Sequence, residues 1–201
     1  MMSASDAFGL FGCGLLGLAV VATLIRLPRL PVRVRYAVML AAAFAFLVPI
    51  GGFSVVAYVR GVTGDLSMTT LVLAGAACVA QFTGRTLIER RERRAVCWLL
   101  TVAAAFLYPF ALGWTRFDPY ALGYGSVEFV TALLLLALAA WWARLNLIVF
   151  VIVAAALAYL AGAYESRNLW DYLIDPLVSV YALVRLLALR TVSRQPANQS
   201  P

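Results

Sequence analysis

The sequence predicts an all-α fold, a bundle of about seven transmembrane helices with the N-terminus outside and the C-terminus in the cytoplasm. Three observations predict it. Of the 201 residues, 64% are hydrophobic and 12% charged, against roughly 45–50% apolar and about 25% charged in a soluble domain. The apolar residues fall in runs whose lengths suit a hydrocarbon core about 30 Å thick. The arginines gather in alternate loops, the distribution that orients membrane helices.

The first span is expected over residues 7–25. Asp6 precedes it and no arginine does, so it lacks the basic start of a cleaved signal peptide. Arg26, Arg29, Arg33 and Arg35 follow it and assign its far end to the cytoplasm. Gly9, Gly12, Cys13, Gly14 and Gly17 give it a narrow face suited to close packing within the bundle. Residues 27–35 contain Pro28 and Pro31 and read as an extended basic loop. The second span follows over 36–50. Phe53–Val59 is apolar but too short to cross alone; it either completes the second span past a kink at Pro49 or lies as an interfacial turn. Arg60–Gly64 breaks the apolar pattern, and Asp65 or Ser67 is a suitable N-cap for a third span ending near Phe82.

Residues 85–94 hold five arginines with Glu89 and Glu92. Arg85–Glu89 and Glu89–Arg93 stand at i,i+4, so helix is expected to continue into solvent here. The fourth span runs over 95–114. From Phe129 to Ala163 only Arg144 and Asn146 interrupt the apolar pattern. One helix of that length would be about 52 Å long, far beyond the hydrocarbon core. It must fold back at Ala143–Asn146, with Asn146 as the residue that tolerates a left-handed helix end and Trp141 and Trp142 at an interface. That gives spans five and six. Pro176 opens span seven, which ends near Leu189 with Arg185 snorkelling toward its cytoplasmic end. Residues 1–190 thus form a single bundle, and 191–201 read as a disordered cytoplasmic tail.

Composition also excludes functions. All sixteen basic residues are arginine, with no lysine and no histidine. Without lysine there is no retinal Schiff base, and without histidine no histidine-ligated metal or haem and no histidine general base. Cys13, Cys78 and Cys97 are far apart and read as buried thiols, with no disulfide framework and no metal site. The net charge of +7 follows topology and contact with anionic lipid, so no nucleic-acid partner is expected. No catalytic motif, phosphate loop or dinucleotide fingerprint is present, and no cofactor is expected.

The loops on the side opposite the arginine clusters bring together one candidate constellation. Arg60 stands with Asp65, Arg116 with Asp118 and Glu128, and Arg167 with Glu165, Asp171 and Asp175. Arginine binds phosphate or carboxylate bidentately, and carboxylates orient it. With Tyr58, Trp114, Tyr120, Tyr124, Tyr164, Trp170 and Tyr172 at the same level, these residues read as a shallow pocket for an anionic lipid or glycan head group. The competing reading pairs the charges locally, caps helices with them and places the aromatics in the usual interfacial belt.

Arg60-Gly61-Val62-Thr63-Gly64-Asp65-Leu66-Ser67 resembles the Arg-Gly-x-x-x-Asp-Leu-Ser turn in the membrane domains of lipoteichoic-acid-synthase-like, sulfatase-fold phosphoglycerol and phosphoethanolamine transferases. Those enzymes carry a large extracytoplasmic catalytic domain that has no counterpart here. The resemblance implies a partner or relic of envelope-modifying machinery and not the enzyme itself. The expectation is therefore a multi-pass accessory or scaffold protein of a bacterial inner membrane, serving envelope lipid or glycan modification. Its partners would be membrane lipids and another membrane protein of envelope biosynthesis. The alternative is a small membrane enzyme or carrier handling a lipid-linked anionic substrate at the outer face.

Overall fold

The computed structural model describes residues 3–113 and 117–192. Among them the chain forms nine α-helices, two short 3-10 turns and one small hairpin, and the all-α class is observed.

Helix α1 (Ala4–Leu24) opens on a capping box: the Ser3 side chain accepts from the Asp6 N–H, and the Asp6 carboxylate accepts from the Ser3 N–H. Its glycines work within the chain. A Cβ at Gly17 would stand 2.7 Å from the Phe46 ring, and one at Gly12 would press on Leu71. Neighbouring helices thus approach α1 closely at these points.

The basic stretch after α1 is not extended. Leu27–Arg29 is a 3-10 turn, and α2 (Val32–Leu47) begins four residues before the expected start. Pro31 carries a φ of −56° that leads into the helix. Arg35 then satisfies backbone acceptors that would otherwise be bare, donating to the carbonyls of Pro28 (2.7 Å), Leu30 (2.8 Å) and Phe82 (2.6 Å).

Phe53–Val59 neither completes the second span nor lies as a turn. A hairpin pairing Pro49–Ile50 with Phe53–Ser54 reverses the chain through Gly51 and Gly52, both at positive φ. Helix α3 (Val55–Thr63) follows, capped by Ser54. Arg60 is therefore helical, and the break falls at Gly64.

Ser67 caps α4 (Met68–Thr83), as one of the two expected residues. Helix does not continue through 85–94. Gly84, at φ 71°, ends α4 in the left-handed conformation, and α5 (Arg90–Ala111) starts afresh after Glu89. The i,i+4 pairing of Arg85 with Glu89 is therefore not set up on a helix.

The long apolar run folds back where expected, into α6 (Val127–Trp142) and α7 (Asn146–Leu160). The left-handed residue is Arg144, at φ 54°, and not Asn146, which opens α7. The Leu145 N–H donates to the Ala140 carbonyl at 2.8 Å, which completes a Schellman end on α6. Helix α5 clamps this hairpin from the side. Arg91 donates to the Ala143 carbonyl at 2.9 Å, and Glu92 accepts from the Leu147 N–H at 3.2 Å. Each charge sits at the helix end whose dipole it complements.

Residues 165–175 are more than a loop. They hold a short helix, α8 (Leu169–Leu173), and α9 (Pro176–Val192) leaves directly after it. Thr191 and Val192 thus belong to a helix and not to the expected tail, the rest of which (193–201) lies outside the described residues. Tyr164, Trp170 and Tyr172 were expected at an interface. Instead they are buried in the largest core cluster, with residues of α5, α6, α7 and α9.

Helices α1 and α5 are long and apolar enough to cross a membrane, while α4, α6, α7 and Pro176–Ala188 are shorter apolar helices. The long-range hydrogen bonds sort the loops into two ends. Arg35 ties 28–30 to Phe82, and Arg91 and Glu92 tie α5 to the α6–α7 turn. At the other end, residues near 6, 60–67, 119–120 and 164–175 bind one another. The first is an arginine end and the second an acidic end.

Candidate functional site

The acidic end is built around Asp175, which is 6% exposed. An aspartate before a proline at the first helical position is a favoured N-cap arrangement, and Asp175 Oδ1 accepts from the Val178 N–H at 2.8 Å. Its other oxygen does the same for a second helix. Oδ2 accepts from the Ser67 N–H at 2.9 Å, the Ser67 hydroxyl at 2.7 Å and the Thr70 hydroxyl at 2.5 Å. One carboxylate therefore joins the N-termini of α4 and α9, where both helix dipoles favour negative charge. Two further bonds fasten the same junction: the Thr69 hydroxyl donates to the Leu173 carbonyl, and the Tyr164 hydroxyl to the Leu66 carbonyl.

Arg60 lies between two carboxylates. Its NH1 donates to Asp6 at 2.8 Å and its Nε to Asp65 at 2.7 Å. Gly9 makes room for this triad, because a Cβ there would overlap Asp65 Oδ1 and stand 2.5 Å from Arg60 Nε. Sequence reading passed over Asp6 as a partner; it is 54 residues from Arg60.

Asp171 binds hydroxyls. Tyr120 donates to both of its oxygens at 3.0 and 3.1 Å, and Ser166 donates to Oδ2 at 2.5 Å. Beneath it the segment is locked. The Asn168 Nδ2 donates to the Tyr120 carbonyl at 2.9 Å, and the Trp170 Nε1 to the Pro119 carbonyl at 2.9 Å. Tyr172, fully buried, exchanges hydrogen bonds with the Tyr164 backbone through its hydroxyl.

These groups surround a cavity of about 420 Å³. Asp65, Asp171 and Asp175 line it together with Tyr108, Tyr120 and Tyr164, with Ser166 and Pro176 also in the wall. Burial raises the Tyr120 phenol above its ordinary range, and the facing Asp171 raises it further. Burial raises Tyr164 as well, with Asp65, Tyr172 and Asp175 adding to the effect. Both hydroxyls stay protonated and act as donors. Among the described residues no three Asp, Glu or Cys side chains come close enough to hold a metal ion. The three carboxylates are spread around the wall.

Of the nine residues singled out from sequence, the cavity collects Asp65, Asp171 and Asp175, and Arg60 stands behind Asp65. Asp118, Glu128, Glu165 and Arg167 are exposed and lie outside that wall. Asp118 accepts from the Tyr120 N–H at 2.9 Å, and Glu128 sits in the first turn of α6. Arg116 lies outside the described residues. Sequence reading missed Ser166, Thr70 and Tyr108. Only Ser67 carried a local signal, as a helix cap.

The octapeptide 60–67 is the turn from α3 to α4. Arg60 and Asp65 pair across it, Leu66 is buried, and Ser67 caps α4 while binding Asp175. No family model matches the chain, and no curated protein or solved structure matches it either.

Proposed function

We propose that the chain is a multi-pass protein of a bacterial inner membrane. It crosses seven times with the acidic end outside, and it serves as a non-catalytic accessory or scaffold for envelope lipid or glycan modification. The observation that carries the membrane reading is the surface of the helices. Leu134, Leu135 and Leu138 on α6, Phe150 and Leu157 on α7, and Val180, Val184 and Leu187 on α9 are large, apolar and exposed. Less than a third of the apolar window of α1 or α5 is buried. A water-soluble globule does not leave such a continuous apolar exterior uncovered, whereas lipid requires it.

The two-ended sorting of the loops supports the odd span count and the arginine-inside orientation. The shorter helices, at 15–17 residues, cover about 23–26 Å, so the reading requires local thinning of the bilayer around them. The scaffold role draws support from how the charged groups at the acidic end are used. Arg60 is held by two carboxylates, and Asp175 holds two helices together. A carrier of anionic substrates finds less support, since the cavity wall presents carboxylates and Arg60 is turned to its own acids. The link to envelope modification rests on the resemblance of residues 60–67 to the transferase turn.

The test is purification in mild detergent from cells carrying a tagged chain, with Arg60→Ala, Arg116→Ala and Arg167→Ala compared for envelope lipid and glycan profiles. A stable membrane partner from envelope biosynthesis is the expected result. A chain that purifies alone, and whose deletion leaves the envelope unchanged, would overturn the role.

A further inference from the structure

A second cavity, of about 280 Å³, lies between α5, α6 and α7 above α8. Its wall is apolar apart from Thr69, with Leu100, Ala103, Phe129, Ile152 and Trp170 among the lining residues. Helix α6 packs mainly on α7 and leaves this space beside α5. Ile174 lines both this cavity and the acidic one. On α8 and its exit, Trp170 and Leu173 face the apolar space, while Asp171 and Asp175 face the polar one. A carboxylate-bearing cavity and an apolar one therefore share Ile174 in their walls.

We infer that the pair forms one site for a membrane lipid with an amine-bearing head group, its ammonium in the acidic cavity and a hydrocarbon chain in the apolar one. Charge complementarity selects the head group. Asp65 is answered by Arg60 and Asp175 by two helix N-termini, but Asp171 meets only hydroxyls. Tyr108, Tyr120 and Tyr164 add aromatic rings of the kind that hold ammonium groups. Burial is the main cause of the raised Tyr120 and Tyr164 phenols, and the neighbouring carboxylates Asp171, Asp65 and Asp175 add to it. Carboxylates spread around the wall suit an organic cation with volume, where a bare metal ion needs them converged. The apolar cavity fixes the source as a lipid, because a water-soluble amine has no use for it.

The site stands on the cavity geometry and not on the scaffold role. Detergent solution exposes both ends of the protein, so the binding measurement is also independent of topology. The purified full chain in neutral detergent is offered equal amounts of phosphatidylethanolamine and phosphatidylglycerol, and retained lipid is counted by native mass spectrometry. Retention of phosphatidylethanolamine is expected to exceed that of phosphatidylglycerol by about tenfold. Asp171→Asn should remove that preference, while Glu165→Gln, the same charge change at an exposed position, should keep it. Ala103→Phe, which fills the apolar cavity, should lower lipid retention but leave the affinity for free ethanolamine unchanged. Equal retention of the two lipids by the wild-type chain overturns the proposal without any variant. So does an unchanged preference in Asp171→Asn that still elutes as a folded monodisperse species. Displacement of the lipid by free ethanolamine with no effect of Ala103→Phe would reassign the site to a soluble amine and overturn the lipid assignment.

Discussion

Replacing Asp175 by asparagine probes the joint between α4 and α9 with almost no change of shape. The carboxylate accepts four hydrogen bonds, three of them on Oδ2. An asparagine can keep its carbonyl toward Ser67 and Thr70 only by turning its NH2 against the Val178 N–H, so one bond becomes a donor–donor contact. The three bonds kept drop from the range of charged acceptors, about 1.5–3 kcal/mol, to that of neutral ones, about 0.5–1.5 kcal/mol. The favourable charge at two helix N-termini, worth about 0.3–1 kcal/mol each, is lost as well. These contributions share one group and do not add fully, so the expected loss is about 2–4 kcal/mol. For a chain of this length that lowers the unfolding midpoint by roughly 5–15 °C. Thermal unfolding of the purified protein in detergent, followed by circular dichroism, measures it. Glu165→Gln is the control and should stay within about 0.5 kcal/mol of wild type. Ser67→Ala combined with Asp175→Asn should cost clearly less than the two changes summed, because they break the same bonds. An Asp175→Asn protein as stable as the control would refute the reasoning that this carboxylate joins the helices.

Three further outcomes follow from the same geometry. Gly123→Ala places a Cβ that overlaps Asn168 Oδ1 and comes within 2.8 Å of Trp170 Cδ1; both partners are buried, so a loss of about 1–3 kcal/mol is expected on thermal unfolding. Arg144→Gly relieves a left-handed residue at φ 54° and should raise stability by about 1 kcal/mol on thermal unfolding; an unchanged or lower midpoint would contradict the strain assigned to this turn. The phenol of Tyr120 is raised by burial and by Asp171. A group whose pKa is higher folded than unfolded contributes stability below its unfolded value, about 10, and loses it as pH rises through the folded one. Alkaline unfolding should therefore steepen above pH 10 in the wild type and flatten in Tyr120→Phe; identical pH profiles would contradict the assignment.

The features readable in the sequence were those that local chemistry decides. Ser67 as a cap, Pro176 as a helix start and the fold-back at 143–146 follow from side chains acting on their own backbone. The same turn shows the limit. Asn146 has the better left-handed preference, yet Arg144 takes that conformation because the Schellman bonds from Leu145 to Ala140 place the end of α6 there. Short range also misjudged the basic segments. Arg35 looked like a loop charge but reaches the Phe82 carbonyl, and Gly84 outweighed the helical pairing of Arg85 with Glu89.

The candidate site was legible as a set of loops but not as a constellation. Asp65, Asp171 and Asp175 do share a cavity, yet what defines each is distant in sequence: Ser67 lies 108 residues from Asp175, and Tyr120 lies 51 from Asp171. Local pairing of the charges was one of the two readings, and Arg60 follows it, although its second partner, Asp6, comes from the other end of the chain segment. The aromatics misled because Tyr and Trp suit an interface and a buried polar network equally well, with a ring to bury and a polar tip to satisfy. Tyr164, Trp170 and Tyr172 take the second use.

The central claim, a multi-pass chain with its acidic end outside, is tested most directly by labelling single cysteines in intact cells. With Cys13, Cys78 and Cys97 replaced by alanine, Asp118→Cys, Glu165→Cys, Leu87→Cys and Arg144→Cys each present one exposed thiol to a membrane-impermeant maleimide. The account predicts that positions 118 and 165 label in intact cells and that 87 and 144 label only after the membrane is opened. Labelling of 87 or 144 from outside, or of all four positions alike, would contradict it.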